Sequence, residues 1–302
     1  MERRAVIIGG PTGVGKTSLS INLAKELKAD IISADSAQVY RGLDIGTAKI
    51  RKEEMQGIKH HLLDVVEPTT KYSVGEFAEA TNAILQEKYE KKENILLVGG
   101  TGLYLSAVSD GLSSLPPADF ALRTKFMEKT TEELYQELLT QDVLSANTIH
   151  PNNRVRIERA LEVFLLTGKS FVVLSKQNVK ENPYSFHKIA LERNREHLYD
   201  RINQRVDLMM EEGFLEEAKY LYQRYGEALK KLRIIGYDQL IEYFEGMISL
   251  EKAIELIKRD SRHYAKRQFT WFKQKKDYIW YNLDEQSEEE ILSDIKNFLI
   301  KK

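Results

Sequence analysis

The chain has 302 residues, 42% hydrophobic and 30% charged, enough for one large domain or a core plus a smaller insert. It has no cysteine, which excludes disulfides, thiolate metal sites and cysteine nucleophiles, and no apolar run reaches the length of a membrane span. A formal net charge of -1 neither favours nor excludes a polyanionic partner, so the distribution matters: acids crowd at Asp284, Glu285, Glu288, Glu289 and Glu290, and cations at 154–159 and 258–276.

Residues 1–8 run straight into a strand-like stretch and then a glycine loop, with no separate apolar region or small-residue cleavage site. That is not the pattern of a secretory signal, and a cytoplasmic enzyme is expected. Residues 5–8 read as a strand, and 16–27 as a helix with Leu19, Leu23 and Leu27 on one face. A second strand is expected at 31–32, a helix at 74–89 and a third strand at 95–98, with two more strands at 187–191 and 278–283. Such alternation implies a parallel sheet with helices on both sides and functional loops at the carboxyl ends of the strands. Between Leu115-Pro116-Pro117 and Pro183 the strand signals stop, and helical periodicity dominates at 121–129, 131–140 and 154–167. Beyond Glu196 the chain reads as mostly helical up to the last strand.

Gly10-Pro11-Thr12-Gly13-Val14-Gly15-Lys16-Thr17 satisfies G-x-x-x-x-G-K-S/T, follows a strand and opens a helix. Glycines there let successive backbone N–H groups turn inward and form an anion nest at a helix N-terminus. Lys16 adds a full positive charge, and the Thr17 hydroxyl is a candidate for the shell of a Mg²⁺ ion bridging phosphate oxygens. The expected fold is therefore a P-loop NTPase-like parallel α/β sheet flanked by helices. Its core spans 1–115 and 184–302, with an all-helical insertion at 116–183 as the RNA-binding candidate. The loop binds a diphosphate-type group, but kinases, GTPases and transferases share it.

After the second strand come Ser33-Ala34-Asp35-Ser36-Ala37-Gln38-Val39-Tyr40-Arg41-Gly42 and, further on, Gly46-Thr47-Ala48-Lys49. Taken alone, an acid at Asp35 is equally a Mg²⁺-water ligand, a helix cap or a catalytic group. The whole string resembles the signature of bacterial tRNA dimethylallyltransferases. The resemblance continues through Gly99-Gly100-Thr101-Gly102-Leu103-Tyr104, Leu115-Pro116-Pro117-Ala118 leading to Arg123, and His150-Pro151-Asn152 leading to Arg156 and Arg159. It ends with Arg233-Ile234-Ile235-Gly236-Tyr237 and Arg262-His263-Tyr264-Ala265-Lys266-Arg267-Gln268 with Thr270-Trp271. A small departure is Asn153, where many relatives carry Asp.

The resemblance implies transfer of a dimethylallyl group from dimethylallyl diphosphate to the N6 amine of the adenosine next to the anticodon, by a monomer that binds a tRNA anticodon stem-loop. ATP is left open as an occupant of the P-loop. An exocyclic adenine amine is a weak nucleophile, so its alkylation needs a stabilised leaving group, an acceptor for the amine proton and a water-poor pocket. Lys16, Thr17 with Mg²⁺, and Arg233, which matches a family arginine contacting the diphosphate, would serve the first need. Asp35 matches the family's proposed general base. Thr101 either hydrogen-bonds the nucleotide or belongs to a turn that only allows close helix approach. Ser36, Ala37 and Gln38 are expected against the RNA, with the Gln38 amide placed to read a neighbouring base.

Lys258, Arg259, Arg262, Lys266 and Lys273 recur at helical spacing, with Arg267 beside them. Such a stripe is either a solvated face or a track for RNA phosphates, as are Arg123, Arg156 and Arg159 in the insert. The adjacent His60 and His61 share no face and are assigned no metal, and Tyr220, Tyr222 and Tyr225 are expected to pack a helix. Competing readings are a small-molecule P-loop kinase, a prenyltransferase of free adenine nucleotides, and an RNA-binding NTPase without group transfer. The first two have no use for the basic segments, and the third predicts slow nucleotide hydrolysis and no prenyl product.

Overall fold

A computed structural model describes residues 3–177 and 182–300, so positions 178–181 of the expected insert lie outside it, as do the chain's two residues at either end. Six strands, β1 (Arg3–Gly9), β2 (Ala29–Ser33), β3 (His60–His61), β4 (Asn94–Gly99), β5 (Tyr184–Glu192) and β6 (Ile279–Asn282), form one sheet. Their order is β3-β2-β4-β1-β5-β6, and every pairing is parallel. In the central strand, Val6, Ile7 and Ile8 are fully buried, as both faces of a helix-covered parallel sheet require. That is why their sequence reads as an unbroken apolar run.

Five strands were expected and six are present. The extra one, β3, is two histidines long and pairs with Ile31 and Ile32 at the sheet edge. It is too short and too polar to leave a pattern. The His61 Nε2 lies 2.8 Å from Asp30 Oδ2, and Lys88 Nζ reaches the same carboxylate at 2.5 Å, so this edge is pinned by charge.

The ladder pairs Gly9 with Gly99 and with Ala190, and Ser33 with Val98. The carboxyl ends of β1, β2, β4 and β5 are therefore level, and the loops that leave them share one edge of the sheet.

The chain divides into two compact units, one made of Met1–Ser109 with Pro183–Lys302, the other of Asp110–Asn182. The second unit is helical throughout its described residues, with Phe120–Met127, Thr131–Gln141 and Arg154–Thr167 as its main helices. Their apolar faces meet in a core of Phe126, Leu134, Leu138, Ile157, Ala160 and Leu161. Asn153 caps the last of them, its side chain accepting from the Arg156 N–H, so an amide here does the work that an aspartate would.

Candidate active site

The helix Lys16–Leu27 opens behind Gly15, whose φ of 114° is open to glycine and strained for other residues. Two arginines from the other end of the chain hold the loop's carbonyls outward. Arg201 Nε donates to Gly13 O at 2.9 Å and Arg193 Nε to Val14 O at 2.8 Å. Lys16 Nζ donates to Gly10 O at 2.9 Å and Pro11 O at 2.8 Å. Burial pushes the Lys16 pKa down to about 7, with Asp35 opposing the shift and Arg205 adding to it.

Asp35 leaves β2 at the same edge. Its Oδ1 accepts from the Ala37 N–H at 2.8 Å and the Gln38 N–H at 3.3 Å, which fixes the carboxylate and leaves Oδ2 for another task. Thr101 Oγ1 accepts from the Ser36 N–H at 3.1 Å, joining this loop to the one after β4. The Gln38 amide is engaged inside the protein: it accepts from Ser33 Oγ at 3.0 Å and donates to Thr47 O at 3.2 Å. Reading a base with it would require exchanging those bonds. The loop that carries Thr47 is held by Glu217, which accepts from the N–H groups of Asp44, Ile45 and Gly46 at 3.1, 2.8 and 3.0 Å.

Two side chains at the centre of the site were not anticipated from the sequence. Arg205 donates to Thr12 Oγ1 at 3.1 Å and to Thr47 O at 3.3 Å, and no carboxylate among the described residues is bonded to it. Gln268 accepts from the Thr12 N–H and donates to Gly100 O, both at 2.9 Å, tying the phosphate loop to the loop after β4. A Cβ on residue 100 would sit 2.2 Å from the Gln268 amide nitrogen, so a larger residue there would displace that side chain from its bond to Gly100 O. The only local signal for Arg205 was its position four residues after Arg201. Gln268 was quoted within the resemblance and assigned to the face opposite the basic stripe.

Two cavities meet here, both within the first unit. One, of about 740 Å³, is lined by the phosphate loop with Lys16, Thr17 and Arg201. The other, of about 440 Å³, has a wall of rings and aliphatic side chains that includes Tyr40, Tyr72, Tyr104, Phe214 and Ile257. Thr12, Asp35, Thr47, Arg205, Met209 and Tyr264 line both. Burial, then the charge of Asp35, push the Tyr264 hydroxyl up to about 12, so it is neutral at physiological pH.

The remaining expectations divide. Ser36, Ala37, Arg233 and Arg267 line the second cavity, and Arg233 is absent from the lining that contains Lys16. Arg205 lines both cavities. Arg123 and Arg159 are not free cations. Arg123 grips Glu162 with Nε at 2.7 Å and Nη2 at 2.9 Å, while Arg159 bonds the same carboxylate and Pro116 O. Glu162 is fully buried. Burial alone would raise its pKa, but the two arginines and the Asp119 N–H hold it below the ordinary carboxylate value. Within the long basic helix Leu250–Lys273, Lys258 pairs with Asp207 and Arg262 donates to Asn203 Oδ1 at 2.6 Å. Lys266, Arg267 and, in the second unit, Arg156 are exposed. Tyr222 and Tyr225 pack and bond Glu245 and Glu67, whereas Tyr220 is exposed.

The comparisons with known proteins agree in direction. The IPP transferase family matches residues 38–275. A tRNA dimethylallyltransferase of Fusobacterium nucleatum subsp. nucleatum is 59% identical over 292 residues, covering 97% of this chain and 96% of its own. One from Anoxybacillus flavithermus is 45% identical over 284 residues, covering 94% and 91%. Among solved structures, a tRNA isopentenylpyrophosphate transferase from Bacillus halodurans superposes with a TM-score of 0.74 at 41% identity, over 98% of this chain and 95% of that one. A eukaryotic dimethylallyltransferase acting on tRNA gives a TM-score of 0.83 at 26% identity, over 98% and 79%. The matched segment begins after the phosphate loop, so the likeness does not rest on the motif that kinases share. The chain belongs to the tRNA dimethylallyltransferase family.

Proposed function

We propose that this protein transfers the dimethylallyl group of dimethylallyl diphosphate to the N6 amine of the adenosine beside the anticodon of tRNA. The observation that carries the reading is the junction of a phosphate-loop cavity and a ring-lined cavity at Asp35 and Arg205. The diphosphate belongs in the first cavity, against the loop N–H groups, Lys16 and Arg205. The adenine belongs in the second, unstacked from its neighbours as base-modifying enzymes require. At the junction the amine nitrogen forms a bond to the first carbon of the prenyl chain. The bond from that carbon to the diphosphate oxygen breaks, and the electron pair leaves with the diphosphate. Asp35 Oδ2 orients the amine and takes its proton. Lys16, Arg205 and the loop N–H groups stabilise the charge that grows on the leaving group.

The Thr17 hydroxyl is exposed at the start of its helix and has no hydrogen-bond partner among the described residues. As a hard oxygen donor beside the phosphate loop it suits Mg²⁺, which would supply positive charge to the diphosphate, while Asp35 is kept for the amine. Arg233 and Arg267, with exposed Lys266 and Arg156, are assigned to RNA phosphates. ATP would compete for the same loop rather than take part in transfer. Among the described residues no helix is long and apolar enough to cross a membrane, and a tRNA substrate places the work in the cytoplasm. A monomer is the assembly expected, because both cavities are lined by one chain.

The test is transfer of label from dimethylallyl diphosphate to unmodified tRNA with Mg²⁺, comparing wild type with Asp35→Ala in a single turnover. The variant should bind dimethylallyl diphosphate almost normally and transfer roughly 10²-fold more slowly or worse. An unchanged rate would remove Asp35 from the chemistry, and absence of any product with wild type would remove the reading.

A further inference from the structure

Glu217 lines neither cavity, yet its bonds end on a turn that lines both. Asp44, Ile45 and Thr47 face the first cavity, and Gly46 and Thr47 the second. Three successive N–H groups of that turn, those of Asp44, Ile45 and Gly46, donate to the Glu217 carboxylate at 3.1, 2.8 and 3.0 Å, and the Tyr237 hydroxyl donates to its Oε1 at 2.6 Å. No lysine or arginine among the described residues is bonded to it. Glu217 is thus an anion seated in a nest of backbone N–H groups, whose position it fixes.

The helix that carries Glu217, Phe214–Tyr225, presses on the same turn. A Cβ on Gly46 would sit 2.2 Å from the Phe214 ring and 2.7 Å from the Tyr237 ring, so both rings lie against that backbone. Burial, then the charge of Glu217, push the Tyr237 hydroxyl far above the usual tyrosine value, so it stays a donor. The turn also bonds itself, with Thr47 Oγ1 donating to Leu43 O at 2.6 Å and the Lys49 N–H to Asp44 O at 2.9 Å. What it offers to the site is the Thr47 carbonyl, which accepts from Arg205 Nη2 at 3.3 Å and from the Gln38 amide at 3.2 Å. The other acceptor that aims Arg205, among the described residues, is Thr12 Oγ1 at 3.1 Å.

An arginine aimed by one carbonyl and one hydroxyl is only as well placed as those two acceptors. Displacing a group that stabilises a leaving diphosphate by about 1 Å costs about 10²-fold in rate, even when the change lies far from the reacting atoms. We infer that Glu217 is a positioning residue: it holds the 44–47 turn, the Thr47 carbonyl of that turn aims Arg205, and the rate of transfer depends on this chain of contacts. Glu217 itself touches no reacting group. The inference rests on the transfer reading above, in which Arg205 faces the diphosphate.

The test is Glu217→Gln, alone and combined with Arg205→Ala, in single-turnover transfer to an anticodon stem-loop. Glutamine keeps the size and one acceptor oxygen, but it turns the other oxygen into a donor facing donors. Transfer should fall by about 10- to 10²-fold, and dimethylallyl diphosphate affinity by a smaller factor, because a misaimed donor matters most where charge develops. In the Arg205→Ala background, Glu217→Gln should slow transfer by no more than about a further twofold, since the group it positions is gone. Tyr237→Phe is the control for stability. It takes a buried donor from the same carboxylate and should lower Tm, yet transfer should stay within about threefold, because the three backbone bonds remain. Losses that multiply in the double variant, an unchanged rate for Glu217→Gln, a Tyr237→Phe as slow as Glu217→Gln, or a Glu217→Gln chain without the wild-type circular dichroism would each overturn the assignment. Wild type inactive on the stem-loop would overturn the transfer reading as well, whereas active wild type with multiplying losses overturns only the role of Glu217.

Discussion

Two helices of this protein carry arginines four or five residues apart, and they use them in opposite ways. In Arg154–Thr167, Arg154 is bonded to Glu158 and two carbonyls, and Arg159 to the buried Glu162. In Arg195–Glu211, Arg201 and Arg205 are bonded to carbonyls and a hydroxyl. A carboxylate neutralises an arginine, whereas a carbonyl only aims it. The first helix commits Arg154 and Arg159 to its own unit, and the second leaves Arg201 and Arg205 without a bonded carboxylate among the described residues. Arginine count and spacing cannot separate these cases, because what decides is which acid is buried nearby.

The sharpest way to break the comparison is at Glu162. Glu162→Ala leaves the partly buried Arg123 and Arg159 without their counter-charge and the Asp119 N–H without its acceptor, and the expected loss is about 2–3 kcal/mol of stability. Urea unfolding measures it, and a loss below about 1 kcal/mol would return the two arginines to the pool of free cations.

At the other pole, Arg205→Ala removes a charge from the leaving group. Single-turnover transfer should fall by about 10²–10³-fold, with weaker dimethylallyl diphosphate binding by titration calorimetry and little change in Tm. Arg233→Ala should spare diphosphate affinity and act on tRNA. If the two variants exchange these phenotypes, the assignment of Arg205 is wrong.

The third test is pH. Burial holds Lys16 at about 7 in the free protein, so above that pH an increasing share of molecules carries a neutral lysine. A diphosphate favours the charged form, and binding must then take up a proton. Affinity for dimethylallyl diphosphate should therefore fall as pH rises from 7 to 9, approaching about tenfold per unit, with proton uptake measurable in buffers of different ionisation enthalpy. A flat profile would mean that Lys16 is charged before the ligand arrives.

The smallest effects belong to the cations that remain exposed. Arg156→Ala and Lys266→Ala should each reduce the salt slope of tRNA binding by about one unit and leave Tm and diphosphate affinity unchanged. An unchanged slope for both would make them ordinary solvated side chains.

Much of the core was legible because its physics is local. An apolar run, a glycine loop and a helix with Lys16 at its start follow one another within 25 residues, and the strand ends bring Asp35 and Thr101 to the same edge. β3 escaped because two residues make no period. Arg205, Gln268 and the Arg123–Glu162 pair escaped for a different reason: their partners are 193, 168 and 39 residues away, beyond the reach of any local pattern. The cavity that Arg233 lines was not legible either, since resemblance located a motif and not its surroundings.

Gln268 also has a consequence for biosynthesis. The phosphate loop is among the first segments to leave the ribosome, yet the bond on the Thr12 N–H comes from a residue made 256 positions later. β1 likewise waits for β4 and β5 before it has neighbours on both sides. A nascent chain therefore carries a finished motif and an unfinished site until nearly all of it has emerged, and a product truncated before residue 268 should be unable to sequester dimethylallyl diphosphate in the cell.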